Sequence, residues 1–530
     1  MKKTFAFGAA AFAAVAAWGH VGAAEEGAAD QCVQHHPLEP QALLRRLSLD
    51  LRGRIPSIDE YEALDKGTSI DNFVDRFLSS DEFRLQMRTY HEGMFWPNVS
   101  NVRLANGEVT LADRGKKGVL LLTLGRPRRF RGGDDVASCD TKREQTEFDP
   151  AFPGEFRPIN VPTVLDDEGK SVKQEGYRLV HPYWAPSTTV KVCAFDAQET
   201  KSVNGVSCGT RAGIAKTACG CGPNLQWCFG PDVAAQVSTS LREELARAVD
   251  DVTVNGRPYS DLVLSRREHI DGRIAFWKRN LAALPPLRIS ANAPEPTEPL
   301  PTNPDWSAPW SVIDRGPLHA GVLTLPVYLL KFQTNRGRAN RFRIAFMNEH
   351  FVPPADPTPQ AGCSTDAADL TKRCVCQYCH AKLEPMATAF GRLAEAGSMP
   401  LAATEYPKTK TSCVGSKSEE CTRFYVTRAD SPRAGYLLPY EFEGDHAEYG
   451  ERIEGGPVTL AKSIVDNGTF ARAAIQHLFL ELVKRDIRAE GDGDERELLA
   501  DLQADFVSSN HAFVPLVKRI VSLPQYRSVR

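Results

Sequence analysis

One nine-residue stretch sets the fold class of this chain: Ile70-Asp71-Asn72-Phe73-Val74-Asp75-Arg76-Phe77-Leu78. Its apolar residues recur every three or four positions, so they share one face of an α-helix. The same spacing continues in Phe83, Met87 and Tyr90, and it returns near the C-terminus in the runs Leu498–Phe506 and Leu516–Val521. Helices with one apolar face must pack on one another, which predicts a mainly α protein.

The start of a helix is marked just before this stretch. Ser57-Ile58-Asp59-Glu60 follows Pro56. A serine followed three residues later by a glutamate forms a capping box, in which each side chain accepts from the other residue's backbone N–H. Residues 38–96 are therefore predicted to form a set of helices.

Composition places the chain among globular proteins. Of its 530 residues, 42% are hydrophobic and 25% are charged, a balance that argues against wholesale disorder and against a polytopic membrane protein. The formal net charge is −3 and no strongly basic stretch occurs, so we expect no nucleic-acid partner.

The N-terminus has the three parts of a secretory signal peptide. Lys2 and Lys3 precede the apolar run Thr4–Ala17 and the small residues Val21–Ala24, which predicts cleavage near residue 24. A membrane anchor is the alternative, but the apolar run is too short for one. No later segment has the length to span a bilayer. We therefore expect a mature chain without a transmembrane segment, exported to the periplasm or beyond, where disulfides form.

Thirteen cysteines are many for a cytosolic enzyme, so the cysteines either form disulfides or bind a cofactor. Six of them lie in a Gly- and Pro-rich region before residue 231. Metal binding by Cys219, Cys221 and Cys228 is one interpretation, but in an exported chain disulfides are favoured. Two short polar loops also predict disulfides, Cys363 with Cys374 and Cys413 with Cys421.

The motif most informative about function is Cys376-Gln377-Tyr378-Cys379-His380, which has the pattern C-x-x-C-H. Two thiols on one helical turn can each add to a haem vinyl group, and the adjacent imidazole can then bind the iron. The motif therefore predicts one covalent haem c held by Cys376, Cys379 and His380. Three alternatives remain: a zinc site completed by other cysteines, a plain disulfide, and a frame that begins at Cys374.

The sequence identifies the sixth ligand of the iron less directly than it identifies the motif residues. A soft thioether favours ferrous iron, and Met399 follows the motif after Gly397-Ser398 and before Pro400, which holds the chain extended. Met399 is therefore our candidate for the second metal ligand. The alternatives are Met386, His350, His446 and His477.

Four segments resemble the multidomain cytochrome c-associated proteins abundant in Planctomycetes, which consist of domains of unknown function around a C-x-x-C-H segment. The likeness covers about half of the mature chain but not its cysteine-rich insertion, and Glu384-Pro385 stands where the family has Asp-Pro. Family membership would imply a haem protein outside the cytoplasm, with no known reaction. The similar segments are Arg45–Pro56, Ser240–Leu262, His319–Pro326 with Cys376–Gly397, and Phe470–Tyr526.

Composition shifts and this resemblance together predict a multidomain, mainly α chain with an irregular, cysteine-rich β insertion. The expected divisions are a signal peptide (1–24), an N-terminal helical domain (30–100), the cysteine-rich insertion (101–231), a middle helical domain (232–284), a Pro-rich linker (285–310), a haem-bearing cytochrome c-like domain (311–400), a disulfide-braced insertion (401–457) and a C-terminal helical domain (458–530).

These observations favour an exported c-type cytochrome that transfers one electron. Its partners would be a redox protein of the cell envelope and the cytochrome c maturation machinery. No catalytic residues are predicted, because the chain has no G-x-S-x-G, H-E-x-x-H, P-loop or G-x-G-x-x-G motif. The alternatives are a haem enzyme with an open sixth position, as in peroxidases, and an envelope binding or structural module without functional haem.

Overall fold

The computed structural model describes residues 36–99, separate pieces of 104–180, and then 181–282, 299–352, 362–400 and 455–529, apart from 215, 217, 367–369, 395–396, 489–490 and 492. About 51% of the described residues are helical and about 10% lie in strands, which confirms the mainly α prediction. The predicted signal peptide, most of the Pro-rich linker, and Cys413, Cys421 and His446 lie outside the described residues.

Four helices open the fold: α1 (Pro40–Arg52), α2 (Ile58–Asp65), α3 (Ile70–Leu78) and α4 (Asp81–Phe95). The capping box at Ser57 is present, since Ser57 Oγ accepts from Glu60 N and Glu60 Oε2 accepts from Ser57 N at 2.9 Å. The apolar stripe of α3 is buried and packs against α1, because only that face of α3 lacks polar side chains.

Short strands and disulfides make up the cysteine-rich region, as predicted. Strands β2 (Leu111–Asp113), β3 (Val119–Leu122), β8 (Val190–Cys193) and β7 (Tyr177–Val180) form one sheet in that order. A second sheet joins β4 (Val136–Ala137), β6 (Ser171–Gln174) and β5 (Thr163–Leu165), and a small hairpin joins β9 (Ser202–Val203) to β10 (Val206–Ser207) just before the short helix α5 (Arg211–Ile214). Three disulfides brace the region: Cys139–Cys193, Cys208–Cys219 and Cys221–Cys228.

The middle region is helical with one exception. It contains α6 (Val233–Thr253), α7 (Asp261–Leu264) and α8 (Gly272–Asn280). Between α7 and α8, β11 (Arg267–Ile270) pairs antiparallel with β12 (Ser311–Asp314). The sequence pattern predicts helices from Val312 to about Phe351, but the first residues of this segment form a strand.

The segment that carries the motif follows β12. It contains α9 (Pro326–Lys331), α10 (Asn335–Met347) and α11 (Gln377–Ala387), and a single 3₁₀ turn at Thr388–Phe390 continues α11. Helix α10 ends at Met347, because Asn348 takes a left-handed conformation with φ +53°, whereas the sequence pattern placed this end near Phe351. The chain then closes with α12 (Pro457–Asp466), α13 (Thr469–Val483), α14 (Gly493–Ser508), α15 (Phe513–Val521) and α16 (Pro524–Arg527).

The buried side chains of these helical segments form one continuous apolar cluster that extends from Leu43 to Tyr526. Helix α10 lies within it and packs on both α11 and α13. The motif helix is thus attached to the same core as both ends of the chain.

The two ends of the described chain meet. Strand β1 (His36–Pro37) pairs antiparallel with β13 (Ser528–Val529). Next to this pair, the Tyr526 hydroxyl donates to Asp50 Oδ2 at 2.8 Å, and Arg46 stacks over the Tyr526 ring. None of the helices in the described part of the chain is both long and apolar enough to cross a membrane.

Candidate functional site

The thiols of the C-x-x-C-H motif are unpaired. Among the described residues, every other cysteine belongs to a disulfide, whereas Cys376 and Cys379 are free and only half-buried. The predicted Cys363–Cys374 disulfide is present, with Cα atoms 5.0 Å apart. Because it engages Cys374, the alternative frame that begins at Cys374 is excluded, and Cys376 and Cys379 remain as the thiol pair.

The disulfide closes a braced loop directly before the motif. Inside the loop, Ser364 N donates to Lys372 O and Cys374 N donates to Ser364 O, both at 3.1 Å. These backbone bonds and the disulfide fix the direction from which the chain enters the motif.

The next turn is a tight one. Cys376 N donates to Cys374 O at 2.9 Å, which closes a three-residue γ-turn around Val375. Val375 has φ +68°, a conformation that β-branched residues rarely adopt and that must be held by surrounding structure. The braced loop on one side and the helix on the other provide that support, so Cys376 is placed firmly at the helix start.

Helix α11 brings the motif residues together. Cys379 N and His380 N both donate to Cys376 O, at 3.2 and 3.0 Å, in the first turn. Residues three apart in a helix lie on the same face, so both thiols point to one side of α11. His380 follows directly, at the edge of the same face.

His380 is oriented by a buried carboxylate. Its Nδ1 lies 2.5 Å from Oε1 of Glu384, one helical turn further on, and Glu384 is completely buried. The same oxygen accepts from Arg336 Nε of α10 at 2.6 Å. A carboxylate only accepts, so Nδ1 is the donor, and in the neutral imidazole Nε2 then keeps its lone pair. Metal-binding histidines commonly hold their second nitrogen in this way.

Two buried polar atoms next to the motif have no hydrogen-bond partner among the described residues: Gln377 Nε2 and Glu384 Oε2. Buried polar groups are nearly always satisfied, so orphaned atoms point to a missing partner such as water or a bound group. Two free thiols, an imidazole with a free Nε2 and adjacent orphaned polar atoms together fit a covalently attached haem.

Met399 lies in the loop that follows the motif helix. Its backbone carbonyl accepts from Ala394 N at 3.0 Å, and its side chain is buried in the apolar core. The sequence pattern predicts a helical stretch from Pro385 to Ala396, but helical structure ends at Phe390, so the chain leaves the helix earlier than predicted. The role of Met399 as an iron ligand stays a prediction.

Arg338 of α10 fixes this loop. The guanidinium is completely buried and donates to the carbonyls of Leu393, Ala394 and Gly397, at 3.3, 2.8 and 2.9 Å. The carbonyl oxygens of this loop thus accept hydrogen bonds from a buried charged group, which needs such partners. The loop that contains Met399 is therefore held against α10, the helix that also carries Arg336.

The other candidate ligands are placed differently. Met386 is partly buried against the core, and His350 is exposed at the end of α10. His477 Nε2 donates to the carbonyl of Ile344 at 3.0 Å, and burial lowers the pKa of His477. His446 lies outside the described residues.

A zinc site at the motif would need further cysteine ligands, and two nearby cysteines are not available for this role. Cys363 and Cys374 are joined in a disulfide and cannot act as thiolates. Within the described ranges, no three His, Cys, Asp or Glu side chains are grouped as they would be around a metal ion.

Comparison of the chain with models of known families, with curated proteins and with solved structures finds no match.

Sequence reasoning missed Glu384 and Arg336 as parts of this site. Glu384 does carry a signal, because a glutamate four residues after a motif histidine shares its helix face. Arg336 carries none, because it reaches Glu384 from a helix 48 positions earlier in the chain.

Proposed function

We propose that this protein is a c-type cytochrome, with one haem held by thioether bonds to Cys376 and Cys379 and by His380 as an iron ligand. One observation carries the proposal. Among the cysteines in the described part of the chain, the only free thiols are the two of the C-x-x-C-H motif, although the surrounding cysteines are oxidised.

When bound, the haem would supply an iron that gains and releases one electron. The chain's own residues have distinct parts. The braced loop and the γ-turn present the thiol of Cys376, α11 aligns Cys379 with it, and Glu384 keeps His380 Nε2 free for the iron. Packing of α10 on α11 keeps Glu384 away from water.

Four disulfides in the described residues support an oxidising compartment for the mature protein. Together with the signal-like N-terminus, they favour export to the periplasm. Haem attachment there would require the cytochrome c maturation machinery, and the electron would pass to a redox partner of the envelope. The resemblance to the Planctomycete cytochrome c-associated proteins agrees with this proposal and remains a hypothesis.

The test is covalent haem. Co-expression with a cytochrome c maturation system should give a band that keeps haem peroxidase staining after denaturation, and Cys379→Ser should lose most of it. The double variant Cys208→Ser, Cys219→Ser is the control, because it removes a disulfide far from the motif in sequence and should keep the stain. A wild-type band without stain would refute the proposal.

A haem enzyme with an open sixth position is the second candidate. The hydrogen bond from His380 to a buried carboxylate favours it, because this bond makes the imidazole a stronger electron donor to iron. The visible spectrum of the loaded protein separates the two functions. A low-spin, six-coordinate spectrum supports electron transfer, and a high-spin ferric spectrum supports the enzyme.

A further inference from the structure

The contact between Glu384 and His380 has a consequence for the iron's oxidation state. We propose that Glu384 is a positioning residue that stabilises ferric over ferrous iron through His380, and that Arg336 opposes this effect. The inference rests on the proposed function, because it requires haem iron on His380 Nε2.

Nδ1 of His380 donates to Glu384 Oε1 over 2.5 Å, so the imidazole shares in the carboxylate's negative charge and Nε2 becomes a better electron donor. Ferric iron carries one more positive charge than ferrous iron and gains more from that donation. The carboxylate therefore shifts the equilibrium toward ferric iron and lowers the midpoint potential.

Burial makes this effect large. Glu384 is completely buried. Water therefore does little to screen the charge, and a low local dielectric strengthens its action on His380. A carboxylate on the surface of α11 would have a much weaker influence.

Arg336 acts in the opposite direction. Its Nε donates to the same oxygen, Oε1, at 2.6 Å, and so draws electron density away from the bond to His380. Its side chain is one quarter exposed, so its removal should disturb the core less than removal of Glu384. The structure thus contains two residues whose loss should move the potential in opposite directions, which a purely structural role would not produce.

The experiment measures midpoint potentials of the haem-loaded full chain by spectroelectrochemistry. Glu384→Gln keeps an oxygen that accepts from His380 but removes the charge. We expect it to shift the ferric–ferrous equilibrium about tenfold toward ferrous iron, a rise of about 59 mV for one electron. Arg336→Gln should shift it about threefold toward ferric iron, a fall of about 30 mV.

The matched control is Glu349→Gln. Glu349 accepts from Arg343, which lies on the same helix as Arg336, at 2.9 Å, whereas the carboxylate bonded to His380 is that of Glu384. It should change the equilibrium less than twofold.

The outcomes separate the two proposals. A wild-type chain without covalent haem overturns the proposed function. If the variants carry haem but the ferric–ferrous equilibrium of Glu384→Gln stays within twofold of wild type, the proposed role of Glu384 is overturned. The same holds if both variants shift this equilibrium in the same direction. In either case the cytochrome proposal still stands. If Glu384→Gln fails to accumulate, the sign of the Arg336→Gln shift decides: a fall supports the inference, and a rise or no change overturns it.

Discussion

His91 should make the stability of this protein sensitive to mildly acidic pH. It lies on α4, almost fully buried, with Nδ1 2.7 Å from the carbonyl of Met87 and Nε2 2.9 Å from the hydroxyl of Tyr259. A neutral imidazole satisfies both contacts, because Nδ1 donates and Nε2 accepts. Burial disfavours the charged form and lowers the pKa of His91 to about 4.

The direction in which pH changes the free energy of unfolding follows from proton linkage. In the unfolded chain the pKa of this histidine is about 6.5, so between about pH 6.5 and 4 the unfolded state binds more protons than the folded state. The contribution of neutral His91 is fully present above pH 6.5 and is lost as the pH falls. At pH 5 the loss amounts to about 2 kcal/mol of unfolding free energy, and it approaches about 3 kcal/mol below pH 4.

The assay is urea unfolding at pH 7.5 and pH 5.0 for the wild type and for His91→Gln. Glutamine keeps a polar group near Tyr259 but does not titrate, so the variant should lose about 2 kcal/mol less than the wild type between the two pH values. The exposed His181 provides the control, and His181→Gln should behave as the wild type does. Equal losses in the wild type and in His91→Gln would show that the environment of His91 does not depress its pKa.

Two further outcomes are expected. Met399→Ala should abolish the ferric near-infrared charge-transfer band that marks sulfur ligation; a native band that survives the substitution rules out Met399, and a native protein without the band rules out methionine ligation. Arg338→Met should lower the free energy of unfolding by about 3 kcal/mol or more in urea titrations, because buried carbonyls of the Met399 loop lose their donor. A cost below about 1 kcal/mol would show that these carbonyls find other partners.

Local signals in the sequence predicted local structure well. The capping box at Ser57 and the apolar stripe of α3 depend on residues three or four positions apart, so the sequence displays them directly. The Cys363–Cys374 disulfide was predictable for the same reason, since a short polar loop between two cysteines restricts their choice of partner.

Non-local pairing was not predictable in this way. Strand β11 pairs with β12 more than forty positions away, and its inward-facing Glu268 is buried with the ammonium group of Lys278, 2.6 Å from its carboxylate. A buried ion pair replaces an apolar residue and so removes the alternation that would identify a strand.

The same contrast between local and distant residues applies to the candidate site. Cys376, Cys379 and His380 were evident because the motif is contiguous, and the structure leaves both thiols free as haem attachment requires. Arg336 and Arg338 were not evident, because a buried arginine that meets carbonyls or a distant carboxylate leaves no periodic pattern in the sequence.

The meeting of the two chain ends also sets an order of events during synthesis. The hydrogen bond from Tyr526 to Asp50 joins residues 476 positions apart. At 5–20 residues per second, α1 leaves the ribosome roughly 25 to 100 s before its C-terminal partner exists. During that interval the C-terminal partner of α1 does not yet exist. The pairing of β1 with β13 is consequently among the last native contacts to form. A chain truncated before residue 524 lacks α16 and β13, the C-terminal elements against which the N-terminal segment packs.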